Sequence, residues 1–344
     1  MERLPVKLPA APLSSNRLST ESAVRAFLTQ ALSRTEGNRG DPAAALLPWF
    51  CDRLPSMHSR QAYGHDLTAF LRTMQEQGID PLQVTGDHVR MYKAALLAAG
   101  QSATTIARVL SVLRGAYQQF GTHGLLPWER VQDIQAVEAP RVEKNTTPAL
   151  SEVEAKKLLH APDRSTLCGI RDHAMLFVFF KTAARCSAVA SACVGNIERT
   201  DTDYYLTIRE KGNKRPRKAL LEAAPAVLEY LDAAGIRDDI EGPLFRPLNK
   251  DRQTLARKHL GRTAIWKIVK RHAYLAGIDV DRLGGRGVAV HSLRKTALTN
   301  ALEHGAKIEQ VQQLAGHSDI RTTQLYFQPR DSDSENAARH IQIR

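Results

Sequence analysis

The chain has 344 residues, 43% of them hydrophobic and 24% charged, enough apolar material for two packed domains and too much for wholesale disorder. Its formal net charge of +12 points to a polyanionic partner. The longest apolar run, Ala174 to Phe180, is far short of the roughly 20 residues that a membrane helix requires.

Residues 1–18, rich in Pro, Ser and Leu, read as a loose tail. From Ser19 onward, Val24, Phe27, Leu28, Ala31 and Leu32 recur at helical spacing, with Ser19 or Thr20 as N-cap. A Gly/Asp/Pro break at 37–42 precedes a short helix through Leu46, Leu47 and Phe50. The run from Ser59 to Leu71, which includes Arg60, sets Tyr63, Leu67, Phe70 and Leu71 on one face. Another helix starts at Ser102, with Ile106, Val109, Leu110, Leu113 and Tyr117 in its stripe and Arg108 and Arg114 off it.

Residues 137–148 are polar, bounded by proline and without periodicity, and read as a linker. Ser151 with Glu154 forms a capping box that opens a second domain, 149–330. A helix through Ala174–Phe180 leads to Thr182-Ala183-Ala184-Arg185. Tyr204–Ile208 has strand character and runs into the turn Lys211-Gly212-Asn213-Lys214, after which Ala219–Leu221 returns as the partner strand. Further helices fit Ala224–Ala234, Thr263–Leu275 and the segment after Ser292, ahead of a short tail, 331–344. The expected fold is mainly α and two-domain. A helical unit spans 19–136, and the second is mixed α/β, mostly helical, with a small antiparallel sheet.

The charge is uneven. From Pro148 onward 32 Lys and Arg face 23 Asp and Glu, a net of +9, against 16 and 13, a net of +3, before it. The same region carries His291-Ser292-Leu293-Arg294, then Leu314-Ala315-Gly316-His317, then Tyr326. A tyrosine hydroxyl that cuts a phosphodiester needs cations on the non-bridging oxygens and proton carriers on the bridging ones, and side chains can supply all of these. A histidine and an arginine three apart share a helix face, so one phosphate can meet both. Taken alone, each residue has a plain structural reading: a core histidine, a solvated arginine, a half-buried aromatic.

Together, this spacing resembles the catalytic end of the tyrosine recombinases, the phage-integrase and Xer family. The stretches S-R-Q-A-Y-G-H-D-L-x-x-F-L and S-A-T-T-I-A-R-V-L-S-V-L-R-G-A-Y are similar to that family's core-binding (SAM-like) domain, so the resemblance covers about residues 19–330. It implies that Tyr326 is the nucleophile and that His291 handles its proton. A phenol has an ordinary pKa of about 10 and needs a base or a positive field at neutral pH. Arg185, Arg294 and His317 would stabilise the phosphoryl charge. Lys211 in K-G-N-K would protonate the leaving 5′ oxygen, with Lys214 as runner-up. The family usually places an acid three residues after the first arginine; here Ala188 stands there, so either another acid holds Arg185 or it is less rigid.

DNA contacts are expected from Arg60, Arg108 and Arg114 in the first domain, from Lys214, Arg215 and Arg217 around the hairpin, and from the basic helix with Arg262, Lys267, Lys270 and Arg271. The resemblance implies a homotetramer on two double-stranded DNA duplexes carrying a specific site, with room for accessory DNA-binding proteins, each copy docking its C-terminal segment into a neighbour. No cofactor and no metal is expected: the chain has no P-loop, no H-E-x-x-H and no evident carboxylate cluster. Cys51, Cys168, Cys186 and Cys193 form no C-x-x-C pair, the usage of reduced thiols in a cytoplasmic protein without a membrane segment. Three roles stay open: a mobile-element or plasmid recombinase, a Xer-type resolver of chromosome or plasmid dimers, and a non-catalytic DNA-binding homologue.

Overall fold

The computed structural model describes residues 20–32, 40–54, 56–142, 149–210, 214–249, 251, 254–279 and 287–326. The tails 1–18 and 331–344 and the hairpin residue Lys211 lie outside the described residues. The chain divides into two compact units, Met1–Lys144 and Asn145–Arg344.

The first unit is all helical. Helix α1 (Glu21–Ala31) opens where the Thr20 hydroxyl accepts from Ala23 N at 3.2 Å, and it buries Val24 and Leu28. In α2 (Pro42–Asp52) the Asp41 carboxylate is the cap and proline occupies the first turn, where its missing N–H costs nothing. Helix α3 (Met57–Glu76) starts one half-turn earlier than its apolar stripe indicates. Helix α4 (Gly86–Ala98), which the sequence reading did not mark, is followed by α5 (Ala103–Thr122), capped by Ser102, and by α6 (Trp128–Gln135), also unmarked. Edge-to-face rings fill the centre: Phe70 meets Tyr92 at 5.1 Å and Tyr117 at 6.3 Å, and Tyr117 meets Phe120 at 5.4 Å. The fully buried Tyr117 hydroxyl donates to Pro81 O at 2.9 Å, so its polar end is satisfied.

In the second unit α7 (Glu152–His160) opens with the reciprocal Ser151–Glu154 box. Helix α8 (Leu167–Thr182) runs through the core, with Ala174, Met175, Leu176, Val178 and Phe179 all buried. It is followed by the short α9 (Cys186–Ala190). The sheet is antiparallel in the order β1 (Ile197–Arg199), β2 (Tyr204–Thr207), β3 (Arg217–Ala219). Strand β1 was not anticipated, and the return strand lies two residues earlier than expected: Leu221 has a φ of 46°, outside any strand. Pairing Leu206 with Lys218 sets that lysine on the inner face, beside a fully buried leucine.

Helices α10 (Ala223–Ala233), α11 (Arg262–Leu275), α12 (Val290–Glu303), α13 (Ile308–Ala315) and α14 (Ile320–Gln324) complete the unit. Helix α11 is fastened to α8 by buried charge. Asp172 accepts from Arg171 Nε at 2.9 Å, meets His272 Nε2 at 2.9 Å, and accepts from Arg271 at 2.8 Å. A small separate core joins Ala183, Ala297, Leu298, Val311, Ala315 and Tyr326. No helix among the described residues is long and apolar enough to cross a membrane.

Candidate active site

The corner after α8 sets the first arginine. Thr182 ends the helix by bonding back to Val178 O at 2.6 Å, and Ala183 takes the left-handed conformation at φ 48°. The chain reverses, and Arg185 becomes the extended residue ahead of α9. Its Nη1 donates to Glu210 Oε2 at 2.5 Å, so the acid missing at position 188 is supplied from three residues beyond β2.

Helix α12 begins at Val290, just ahead of Ser292, and the Ser292 hydroxyl accepts from Ala289 N at 3.2 Å. His291 and Arg294 therefore share a face. His291 lies at the mouth of a cleft, and partial burial followed by the Arg294, Lys295 and Arg185 charges lowers its pKa from the usual 6.5. Arg294 is 3% exposed. It donates through Nη1 to Ala183 O and through Nη2 to Ala315 O, the latter at 2.6 Å. Burial and the neighbouring Arg185 charge lower its pKa, while the Tyr326 hydroxyl and Glu210 support the cation.

Helix α13 ends because Gly316 adopts φ 64°, a left-handed cap that releases His317 into the site. The His317 ring is oriented at both nitrogens: Nε2 lies 3.1 Å from Arg294 Nη2 and Nδ1 lies 3.0 Å from Thr323 Oγ1. A guanidinium only donates, which assigns the acceptor role to Nε2 and the proton to Nδ1. Burial and the charges of Arg294, Arg185, His291 and Lys218 press the His317 pKa down to about 4, so the ring is neutral near pH 7. Tyr326 stacks on it, with centroids 5.9 Å apart and planes at 19°, and is 9% exposed.

Arg185, His291, Arg294, His317, Thr322 and Tyr326 line one cleft of about 440 Å³. Five of the six residues assigned to chemistry in the sequence thus come together; the sixth, Lys211, lies outside the described residues. On either side of it, Glu210 N donates to Lys214 O at 2.8 Å, closing the neck of the hairpin.

Two residues that the sequence reading passed over stand behind the cleft. Glu210 is one. Lys218 is the other: it is 4% exposed and donates through Nζ to Leu314 O at the end of α13. Burial lowers its pKa to about 8, against the opposing pull of Glu210.

The residues marked for DNA divide by environment. Lys214, Arg215, Arg262 and Lys267 are exposed. Arg217 lies 4.0 Å over the Tyr205 ring and pairs with Glu198, and Lys270 lies 4.8 Å over the Trp266 ring. Arg271, though half exposed, is held by Asp172. In the first unit Arg60 donates to Leu54 O at 2.7 Å and Cys51 O at 2.9 Å, and Arg114 donates to Val137 O. Arg108 faces the buried Asp66 carboxylate at 3.2 Å, whose pKa burial raises to about 6.

Residues 148–333 match the Phage integrase family, and residues 50–122 match the Phage integrase, N-terminal SAM-like domain. The chain belongs to the phage integrase family of tyrosine recombinases. It is 33% identical over 279 residues to the tyrosine recombinase XerD of Proteus mirabilis, spanning 79% of this chain and 82% of that one. Among solved structures its fold is similar to that of the XerH site-specific recombinase in a post-cleavage complex with palindromic difH substrate. The TM-score is 0.64 at 16% identity, covering 95% of this chain and 98% of the other. It is also similar to a lambda integrase tetramer bound to a Holliday junction, with a TM-score of 0.63 at 15% identity over 92% and 89% of the two chains.

Proposed function

We propose that this chain cuts and reseals duplex DNA at a specific site, with Tyr326 as nucleophile. The observation that carries the reading is the gathering of two arginines, two histidines and a sheltered tyrosine around one cleft. The Tyr326 oxygen attacks phosphorus while His291, neutral at pH 7, takes its proton. The bond from phosphorus to the 5′ oxygen breaks, and Lys211 protonates that oxygen. A 3′-phosphotyrosyl link and a free 5′-hydroxyl result. The phosphoester bond is conserved, so attack by the 5′-hydroxyl of a partner strand reverses the step without a nucleotide cofactor.

Arg185 and Arg294 face the non-bridging oxygens. The phosphate's negative charge raises the His317 pKa from about 4, while the neutral ring, accepting at Nε2 from Arg294 Nη2, holds that guanidinium in the cleft. Arg294 reaches the site already fastened to two carbonyls, so its orientation needs no rearrangement as charge develops.

The DNA path takes in Arg108, Lys214, Arg215, Arg217, Arg262, Lys267, Lys270 and Arg271, with Arg60 and Arg114 contributing whatever donors their carbonyl contacts leave. The working unit is a homotetramer on two duplexes in the cytoplasm, assembled through residues 331–344. Deleting that segment should weaken assembly while each copy still folds, and unchanged recombination after the deletion contradicts this role. A mobile-element or plasmid recombinase is the first reading of its biology, favoured by the Ala188 departure. Xer-type dimer resolution is the second, favoured by the 33% identity to a XerD protein.

The test is covalent trapping. A duplex that the protein selects from a random pool is nicked beside the cleavage point, so that cutting releases a short fragment and religation fails. The wild-type protein is expected to accumulate a DNA adduct and Tyr326→Phe none; adduct formation by the phenylalanine variant removes Tyr326 as nucleophile.

A further inference from the structure

Ala188 leaves Arg185 without an acid on its own helix, yet the guanidinium is held. Its Nη1 lies 2.5 Å from Glu210 Oε2, and the Glu210 side chain is 3% exposed against 35% for that of Arg185. A carboxylate buried this deeply is costly unless cations face it. Arg185 does so by contact, and the Lys218 ammonium does so through the charge interaction between the two side chains. Glu210 Oε1 has no hydrogen-bond partner among the described residues, so the carboxylate's side-chain bonding rests on Oε2 and Arg185.

Glu210 is also a junction in the backbone. Its N–H donates to Lys214 O at 2.8 Å, closing the hairpin neck around 211–213. Its Oε2 lies 2.7 Å from where a Cβ on Gly316 would stand, so the carboxylate also abuts the turn that delivers His317.

We infer that Glu210 is the positioning residue for Arg185: from just beyond β2 it supplies the acid that α9 lacks. This rests on the reaction proposed above, in which Arg185 faces the scissile phosphate. One of the five guanidinium N–H groups goes to Glu210, leaving four to meet phosphate oxygens.

The experiment measures the single-turnover rate of adduct formation on the nicked duplex with full-length protein. Glu210→Gln, which keeps shape and loses charge, is expected to slow adduct formation about 10- to 100-fold, the range for a catalytic group held out of place, with DNA affinity within about twofold of wild type. A duplex with sulfur as the 5′ bridging atom separates Arg185 from Lys211, because that leaving group departs without a proton. A deficit that persists on the sulfur substrate supports action through Arg185; full recovery of the wild-type rate on it assigns the defect to Lys211 alone and overturns the inference.

Because Gln at 210 leaves Lys218 without its counter-charge, Glu210→Gln/Lys218→Met is measured alongside. This variant removes both buried charges and should melt near the wild type yet stay slow. Recovery to the wild-type rate would mean that the carboxylate serves only to balance Lys218, and the inference falls. The outcomes also separate from those for the reaction itself: no adduct with the wild type defeats the proposed reaction, whereas a wild-type adduct with an equally fast Glu210→Gln defeats this inference alone.

Discussion

Lys218 gives the sharpest physical prediction. A lysine whose pKa falls from 10.5 to about 8 on folding carries, near neutral pH, an electrostatic cost of about 3 kcal/mol relative to the unfolded chain. The sign follows from proton counts. Between about pH 8 and 10.5 the unfolded lysine binds more protons than the folded one, so this contribution to stability rises with pH. The cost of about 3 kcal/mol at about pH 7.5 should fall by roughly half by about pH 9.5. Lys218→Met removes the titrating group but also the bond to Leu314 O, a loss of about 1 kcal/mol that does not depend on pH. Urea unfolding of both proteins at the two pH values isolates the lysine, since everything common to them cancels in the difference. Wild type should gain on Lys218→Met by about 2 kcal/mol as pH rises. A difference that stays flat across that range would refute the assignment of Lys218 as a buried, destabilised cation.

Four further outcomes follow from the site and its surroundings. If His291 takes the tyrosyl proton, adduct formation at subsaturating DNA, which reports the free protein, falls as pH drops through the His291 pKa, held below 6.5 by burial and the nearby cations; an acid midpoint at or above 6.5 in that profile contradicts this. Gly316→Ala should cost about 1–2 kcal/mol in melting experiments, because a side chain at φ 64° is strained and its Cβ would stand 2.7 Å from Glu210 Oε2; unchanged stability argues against the tight turn. Arg114→Ala should lower stability by about 1 kcal/mol through the lost bond to Val137 O. Lys267→Ala, by contrast, should leave stability intact and reduce the salt dependence of DNA binding by about one counterion, so an equal loss of stability in the two variants would refute the distinction between the carbonyl-bound Arg114 and the exposed Lys267.

The long amphipathic helices were legible because their apolar residues repeat strongly: Leu67, Phe70 and Leu71 on α3, and Ile106, Val109, Leu110 and Leu113 on α5, all prove buried. Helix α6 escaped notice at eight residues, and α4 because Met91 and Leu97, exposed on its outer side, blur the stripe. Arg185, His291, Arg294, His317 and Tyr326 could be named because the family spacing marks them; their individual environments offered no such mark. Glu210 and Lys218 were not legible for a different reason. A charged residue beside a basic turn reads as solvated, and only the pairing of Lys218 with Leu206 turns it inward. Likewise nothing local joins Arg185 to an acid 25 positions later; that contact exists because β2 ends beside the corner after α8.

The small core around Tyr326 has a consequence for specificity. Ala183, Ala297, Leu298, Val311 and Ala315 pack with its ring, and His317 covers one side of it. If Tyr326 is the nucleophile proposed above, a hydroxyl on so sheltered a ring would meet only a phosphate that has entered the pocket flanked by guanidinium groups. DNA passing along the outer surface would then stay out of its reach, and stray nicks would be discouraged by the seating of that ring.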